Sequence, residues 1–472
     1  YAGKEAVHML QSRVQSHVAA HRRVDPDVAL CEELRTATWP TGRVLCGGEI
    51  LTYGWDVYNE QCAKLTPRFI MQPKTTEDVQ KAVRFAKNNN LNISFRGQGH
   101  TYNCAAFQQN SLNLDLRTMG STVTTRKIGE DTLAILSPGS TFQTIKDTIS
   151  SQLSFTHGTC PTVGVMGFHL HGGWGATTDT WANESIVQME VVTADGALHT
   201  LNAESTGEEA QLWNAMRVAG SSFGIVTELT IRLFNRRERP YLVLPVLNDF
   251  DFLLSKVPNG AAFGWVGLAR WDKVFYPQST VLGHGWILQI VLNDLYPWTL
   301  TSALSWVFFN GIQLAFSYFA QIPPNIPTNA ETWLNGLYPF QDSAVFTRFY
   351  PLSDIRDKAK LLESFLSQHV DNCRYNLGPL QGESARLPLV TVECNTLQTA
   401  ALLKDFVRQN SAVLLPDKPG SGYINLPLDD TSTYREAYFP QYDELAAIKC
   451  LWDPSDLFYS RVGIHPEGCS GS

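Results

Sequence analysis

Two glycine-rich segments of this chain each carry a side chain able to do chemistry. In the first, Arg96-Gly97-Gln98-Gly99-His100-Thr101-Tyr102, an imidazole follows a Gly-x-Gly and a phenol stands two residues further on. Gly97 and Gly99 permit positive φ, so successive backbone N–H groups can converge on an anion such as a pyrophosphate. A tight turn would use the same residues equally well, and the segment matches neither GxGxxG nor a P-loop. The second segment runs Gly158-Thr159-Cys160-Pro161-Thr162-Val163-Gly164-Val165-Met166-Gly167 and continues to Gly172-Gly173-Trp174-Gly175. Its glycine density exceeds what a turn needs and suits a backbone packed against a flat ligand. His157, His169 and His171 lie close to Cys160, which raises zinc. Two histidines at i, i+2 in a glycine-rich loop, with no carboxylate at ligand spacing, argue against it. A third small-residue turn, Gly220-Ser221-Ser222-Phe223-Gly224-Ile225-Val226, enters a strand.

The flanking pattern predicts what positions these segments. "PRFIMQPKTTEDVQKAVRFAKNNNLNISFRGQGH" reads as strand, helix, strand and glycine turn, with Thr75 or Thr76 as N-cap and Val79, Ala82, Val83 and Ala86 facing inward. "SLNLDLRTM" and "TLAILSPGSTFQTI" alternate as strands, and "STFQTIKDTISSQ" turns helical after a Ser or Thr cap. "IVQMEVVTADGALHTLN" is a hairpin around Asp195-Gly196, and "QLWNAMRVAGSSFGIVTELTIRLF" a helix, a small-residue turn and a strand. Near residue 236 the composition shifts toward aromatics: Trp265, Trp271, Trp286, Trp298, Trp306 and Trp333 are half of the 12 tryptophans. The earlier style returns near 416, so we expect a first domain at 1–235, an inserted domain at 236–415 and a return to the first at 416–472.

At 472 residues, 44% hydrophobic and 17% charged, the chain is folded and long enough for more than one domain. Its net charge of −8, with no long basic run, speaks against a nucleic-acid partner. Residues 295–330 carry no charge, yet Asn310 and Gln313 interrupt the run and its flanks are not basic. A core or interface helix is therefore expected there, not a membrane span. The nine cysteines form no CxxC pair, and their odd number leaves at least one outside intramolecular bridging. Two sequons, at Asn92 and Asn183, accompany them. No signal peptide is visible and the first residue is Tyr1, so a trimmed, secreted chain is the expectation.

In these segments the chain resembles the berberine bridge enzyme-like FAD-linked oxidases of the vanillyl-alcohol oxidase/PCMH superfamily, of a fungal natural-product type. Gly-Gln-Gly-His-Thr-Tyr stands where that family has GGH-x-Y, Gly158 to Gly164 matches its G-x-C-P-x-V-G, and Gly220 to Thr227 its GG-x-FGIVT. Ile448-Lys449 through Asp453-Pro454 to Phe458 matches its C-terminal IK-x-x-x-DP-x-x-x-F. The likeness covers most of 63–235 and 420–460. It implies an α+β fold: a PCMH-type two-subdomain FAD-binding domain, its core at about 63–235, with an inserted antiparallel-sheet substrate domain. It also implies FAD joined covalently to both His100 and Cys160, which leaves an even number of thiols to pair. Arg96, Gly97, Gln98, Gly99, Thr101, Thr159, Val163, Gly164, Gly167, Gly173, Gly224 and Val226 would line the cofactor. Val163, three residues after the linked cysteine, would admit O2, as valine does in the family's oxidases.

The departures bear on mechanism. Met166 and His171 replace glycines, Phe168 a histidine, and Cys104 and Ala106 a glycine and a serine. In "GYINLPLDD", Leu426 stands where the family often carries its base, leaving Tyr102, Tyr423 and Asn425 as the groups near the expected chemistry. Three functions follow. The first is an FAD oxidase that dehydrogenates or oxidatively cyclises a hydrophobic secondary metabolite, passing electrons to O2 to give H2O2; the aromatic insert suits an apolar substrate. The others are an oligosaccharide oxidase, and a pericyclase-like enzyme in which the flavin is structural.

Overall fold

The computed structural model describes residues 27–36, 42–53, most of 59–236, the strands at 241–246, 263–271 and 285–292, and most of 344–469. The chain builds three sheets. The first comprises β1 (Arg43–Cys46), β2 (Phe69–Gln72), β3 (Ile93–Arg96) and β4 (Leu112–Asp115), in the order β1-β2-β4-β3. β4 lies parallel to both β2 and β3. The helix Thr76–Asn88 joins β2 to β3; Thr75 caps it in a reciprocal box with Asp78, and Val79, Ala82, Val83 and Ala86 are fully buried. The expected alternation in "SLNLDLRTM" is not observed. All four residues of β4 are buried, because a strand between two parallel neighbours is covered on both faces.

The second sheet is antiparallel: β5 (Val123–Ile128), β6 (Asp131–Leu136), β7 (Leu153–Ser154), β8 (Ile186–Val192), β9 (Leu198–Asn202) and β10 (Ile225–Asn235). Its order is β5-β6-β10-β8-β9, with β7 on the far end of β10. The β8–β9 hairpin turns at Asp195-Gly196. Gly196 adopts φ 78°, and the Asp195 carboxylate accepts from the Ala197 N–H at 2.9 Å. A third, all-antiparallel sheet holds β11 (Tyr241–Val246), β12 (Phe263–Trp271), β13 (Gly285–Leu292), β14 (Ala344–Phe349), β15 (Cys373–Gln381) and β16 (Leu389–Cys394), ordered β11-β13-β12-β15-β16-β14. This is the α+β arrangement expected from the sequence. The uncharged run at 295–330 lies outside the described residues, among which no helix is long and apolar enough to cross a membrane.

The C-terminal segment packs back on the first two sheets. Tyr442, Leu445, Ala446, Val462 and Ile464 share one core with Leu136, Val191 and Leu229, while Leu457 and Phe458 join the core that holds Phe69 and Leu114. One buried ion pair ties this return in place. Lys449, fully buried, donates to Asp453 Oδ2 and to the Ser222 carbonyl, each at 2.6 Å. Asp453, equally buried, also accepts the Leu457 and Phe458 N–H groups. Four disulfides close the scaffold: Cys31–Cys46, Cys62–Cys104, Cys373–Cys394 and Cys450–Cys469.

Removing one partner of a buried, fully hydrogen-bonded pair leaves the other charge stranded. Lys449→Met should therefore destabilise the protein by about 3–5 kcal/mol in denaturant unfolding. A variant as stable as the parent would show that this pair does not hold the C-terminal return.

Candidate active site

Three loops converge on one place. The first, Gly97–Tyr102, leaves the end of β3; the second, Gly158–Gly164, precedes the short helix Val165–His169; the third is the turn Ser137–Thr141 ahead of the helix Phe142–Thr148. The second loop is laid along the third by Phe142 N–H to Val163 O, Gln143 N–H to Pro161 O and Val165 N–H to Ser140 O. Gln98 Nε2 donates to Gly139 O at 2.7 Å, which joins the first loop to the third. The first and second meet backbone to backbone: a Cβ on Gly164 would lie 3.0 Å from Gln98 N. Of the two glycines expected at positive φ in the first loop, Gly99 has it, at 79°, and Gly97 does not. Gly97 carries no left-handed constraint, and its Cβ position has an ordinary 3.5 Å contact with Pro138 O.

That convergence brings two reactive groups to one hydroxyl. His100 Nε2 lies 2.9 Å from Thr162 Oγ1, and Cys160 Sγ lies 3.2 Å from the same oxygen. Both side chains are half-buried, and Cys160 is the free cysteine once the four bridges are formed. Val163 is partly buried against the core beneath, and Gly167 has open space where a Cβ would stand. Tyr102 sits on the His100 loop, its carbonyl accepting from Asn59 Nδ2 at 2.6 Å. Thr101 Oγ1 accepts the Ala105 N–H.

A second group of residues meets the C-terminal end of the Val165–His169 helix. The Tyr423 oxygen accepts from the Trp174 N–H at 2.7 Å and from Asn425 Nδ2 at 3.4 Å, and the same Nδ2 donates to His171 O at 3.1 Å. Tyr423 packs with Phe349, Leu389, Trp174 and Trp181, which joins the edge of the third sheet to the glycine-rich segment.

Residues 67–202 match the FAD binding domain family, and residues 422–465 the berberine and berberine-like family. The chain thus carries an FAD-binding domain and, nearer its C-terminus, a berberine-like segment. Over 215 residues it is 33% identical to the xylooligosaccharide oxidase of Thermothelomyces thermophilus, covering 44% of this chain and 40% of that protein. It is 23% identical to the FAD-linked oxidoreductase easE of Epichloe festucae var. lolii, over 85% of this chain and 74% of the other. The fold is that of berberine bridge enzyme from Eschscholzia californica, at 18% identity and a TM-score of 0.69 over 93% of this chain and 99% of that one. The alignments to the first relatives are partial: 34% of the carbohydrate oxidase of Microdochium nivale and 40% of the xylooligosaccharide oxidase are spanned.

Within this flavin-binding framework the remaining sequence-expected residues fall in different places. Arg96 is buried and turned to Asp115, 3.3 Å away, between the rings of Tyr53 and Phe107. Burial pushes the Asp115 carboxyl up to about 6. Gly173 is packed by protein, since the Phe168 ring occupies its Cβ position at 2.3 Å; Gly224 is filled likewise by Val191, and Val226 is buried in the core of β10. Thr159 and Leu426 lie outside the described residues. The three histidines near Cys160 have separate partners: His157 Nδ1 contacts Gly158 O, His169 Nδ1 contacts Val165 O, and His171 spans Gly167 O and Ser221 Oγ. Sequence reasoning missed Thr162, which it quoted without a role, and Trp174, whose N–H reaches a residue 249 positions away. It also missed Asn59, for which no motif exists.

His169 gives a pH signature. Burial lowers its pKa to about 4, against an ordinary value of 6.5. The folded state thus refuses a proton that the unfolded chain accepts. Its contribution to stability is complete above pH 6.5 and is lost as pH falls toward 4, with a slope of up to ~1.4 kcal/mol per pH unit. His169→Gln should flatten the fall in stability between pH 6.5 and 4, measured by denaturant titration at each pH. A parallel curve for the variant would mean that His169 takes up its proton in the folded state.

Proposed function

We propose that this protein is an FAD-dependent oxidase whose flavin is attached through both His100 and Cys160, and that it oxidises a hydrophobic secondary-metabolite substrate by dehydrogenation or oxidative cyclisation. The single observation that carries the reading is the meeting of an imidazole nitrogen and the one unbridged thiol on Thr162. A residue pair able to form two bonds to one flat ring needs that proximity. The donor set fits a flavin: a nucleophilic nitrogen and sulfur on one hydroxyl, a left-handed Gly99 next in sequence to the imidazole, and open space at the Cβ position of Gly167. When bound, the flavin supplies a two-electron acceptor for the substrate and a donor to O2, giving H2O2.

The chain's own groups would do the rest. Gln98, held on Gly139, and Gly164 fix the two tethering loops at one separation. Tyr423 is oriented by the Trp174 N–H and Asn425 Nδ2 on its oxygen, so its hydroxyl keeps one position from which to relay a substrate proton. Asn425 then acts by orientation. Tyr102 is the second candidate acceptor, on the His100 loop itself. Phe349, Leu389, Trp174 and Trp181 form an apolar wall beside Tyr423, the feature that favours an apolar small molecule. Val163, three residues after Cys160 and packed against the core, would regulate the approach of O2. The four disulfides fit a protein secreted into an oxidising compartment.

Acid precipitation with intact mass tests the reading. We expect the yellow chromophore to stay with the pellet and the mass to exceed the chain by one FAD, with Cys160→Ala retaining a single link. Flavin released quantitatively by acid would remove both attachments. A second reading, oligosaccharide oxidation, is favoured by the relatives named carbohydrate and xylooligosaccharide oxidase; peroxide release with xylobiose but not with apolar alcohols would establish it instead. For the oxygen path, Val163→Leu should slow reoxidation about tenfold or more, equivalent to ~1.4 kcal/mol of barrier, while anaerobic reduction keeps its rate. Equal slowing of both half-reactions would take that role from Val163.

A further inference from the structure

The loop that carries His100 and Tyr102 is fixed on its outer side by groups with no part in the chemistry above. Asn59 is 1% exposed, and its Nδ2 donates to the Tyr102 carbonyl at 2.6 Å. Three residues on, Cys62 is fully buried and bridged to Cys104, four residues past His100. Cys62 is itself locked to Asn59, because its N–H donates to the Asn59 carbonyl at 2.9 Å. Between these points Cys104 adopts φ 62°, a left-handed conformation that a non-glycine residue holds only when its surroundings impose it. The imposing contacts are visible. The Cys104 carbonyl accepts the Phe107 N–H and Gln108 Nε2, and Thr101 Oγ1 ties Asn103 and Ala105 to the same turn. Cys62, Ala106 and Phe107 form a small apolar core of their own beneath it, with Leu65 and Cys104 against them.

We propose that Asn59 and the Cys62–Cys104 bridge are positioning groups for flavin attachment at His100. They hold the His100–Tyr102 loop at the height where the imidazole meets Thr162. They do nothing for Cys160, whose loop is secured separately on residues 140–143. The two loops share the Gln98–Gly139 and Gln98–Gly164 contacts on their inner side, but only the His100 tether has this further clamp, and only it depends on a disulfide. This rests on the double-tether reading above.

The test is the double variant Cys62→Ser/Cys104→Ser alongside Asn59→Ala. As a control it uses Cys373→Ser/Cys394→Ser, which opens a bridge between β15 and β16. Peptide mapping by mass spectrometry should show flavin on the Cys160 peptide at parental occupancy in all three variants. Occupancy of the His100 peptide should fall at least about fivefold in the Cys62/Cys104 variant and in Asn59→Ala, and stay at the parental level in the control. Parallel loss of both linkages would assign the bridge a merely structural role, and unchanged His100 occupancy would overturn the proposal outright. Hydrogen exchange reads the clamp without any flavin. Residues 97–107 should lose protection in the Cys62/Cys104 variant while 158–165 keep theirs, and unchanged protection at 97–107 would equally overturn it. If the parent protein has flavin on one residue only, the double-tether reading fails by itself, and the exchange measurement still decides the clamp.

Discussion

The site depends on a close approach of two backbones. At Gly164 a Cβ would sit 3.0 Å from the amide nitrogen of Gln98, nearer than side chains tolerate without displacement, so the chain carries hydrogen there. That contact sets the distance between the end of β3 and the loop before the helix Val165–His169, and hence the distance between an imidazole and a thiol. The third loop fixes the remaining degree of freedom. Gln98 reaches across to Gly139, and the run Pro161–Val165 is hydrogen-bonded along Ser140–Gln143. Backbone carbonyls and amides supply most of this, and they hold position better than long side chains because they have no rotamers to lose.

The same economy appears at the C-terminal return. Lys449 closes on the Ser222 carbonyl, Ile464 N–H on Ser222 Oγ, and His171 Nε2 on Ser221 Oγ. A turn of small residues thus becomes the point where the C-terminal helix, the second sheet and the glycine-rich segment are joined. Its smallness is functional in packing terms: the Cβ position of Gly220 is filled by Leu170, and that of Gly224 by Val191. At Gly173, too, the space a Cβ would take is filled by a neighbouring side chain, the Phe168 ring.

What could be read beforehand divides along a physical line. Local signals were legible: the Thr75 cap with its inward stripe, the Asp195-Gly196 hairpin, and the His100 and Cys160 segments all depend on residues within a few positions of one another. Contacts closed by tertiary structure were not. Trp174 meeting Tyr423, Asn59 meeting Tyr102 and the burial of both faces of β4 depend on where distant strands lie, which no short window encodes. Arg96 shows the intermediate case. The resemblance puts it at the cofactor, and its side chain is buried against Asp115 and the faces of two aromatic rings.

The cysteines bring these strands together. Eight thiols admit many pairings, and the sequence left the choice open; the fold makes it by bringing four pairs together at Cα separations of 4.1–6.3 Å. Cys373 and Cys394, for example, stand directly opposite one another on the neighbouring strands β15 and β16. Cys160 is the one left free, in the loop held against His100. Oxidative closure of the scaffold therefore consumes every thiol except the one beside the imidazole. A chain with this arrangement can fold in an oxidising compartment and keep one thiol free, because the other eight are bridged to one another.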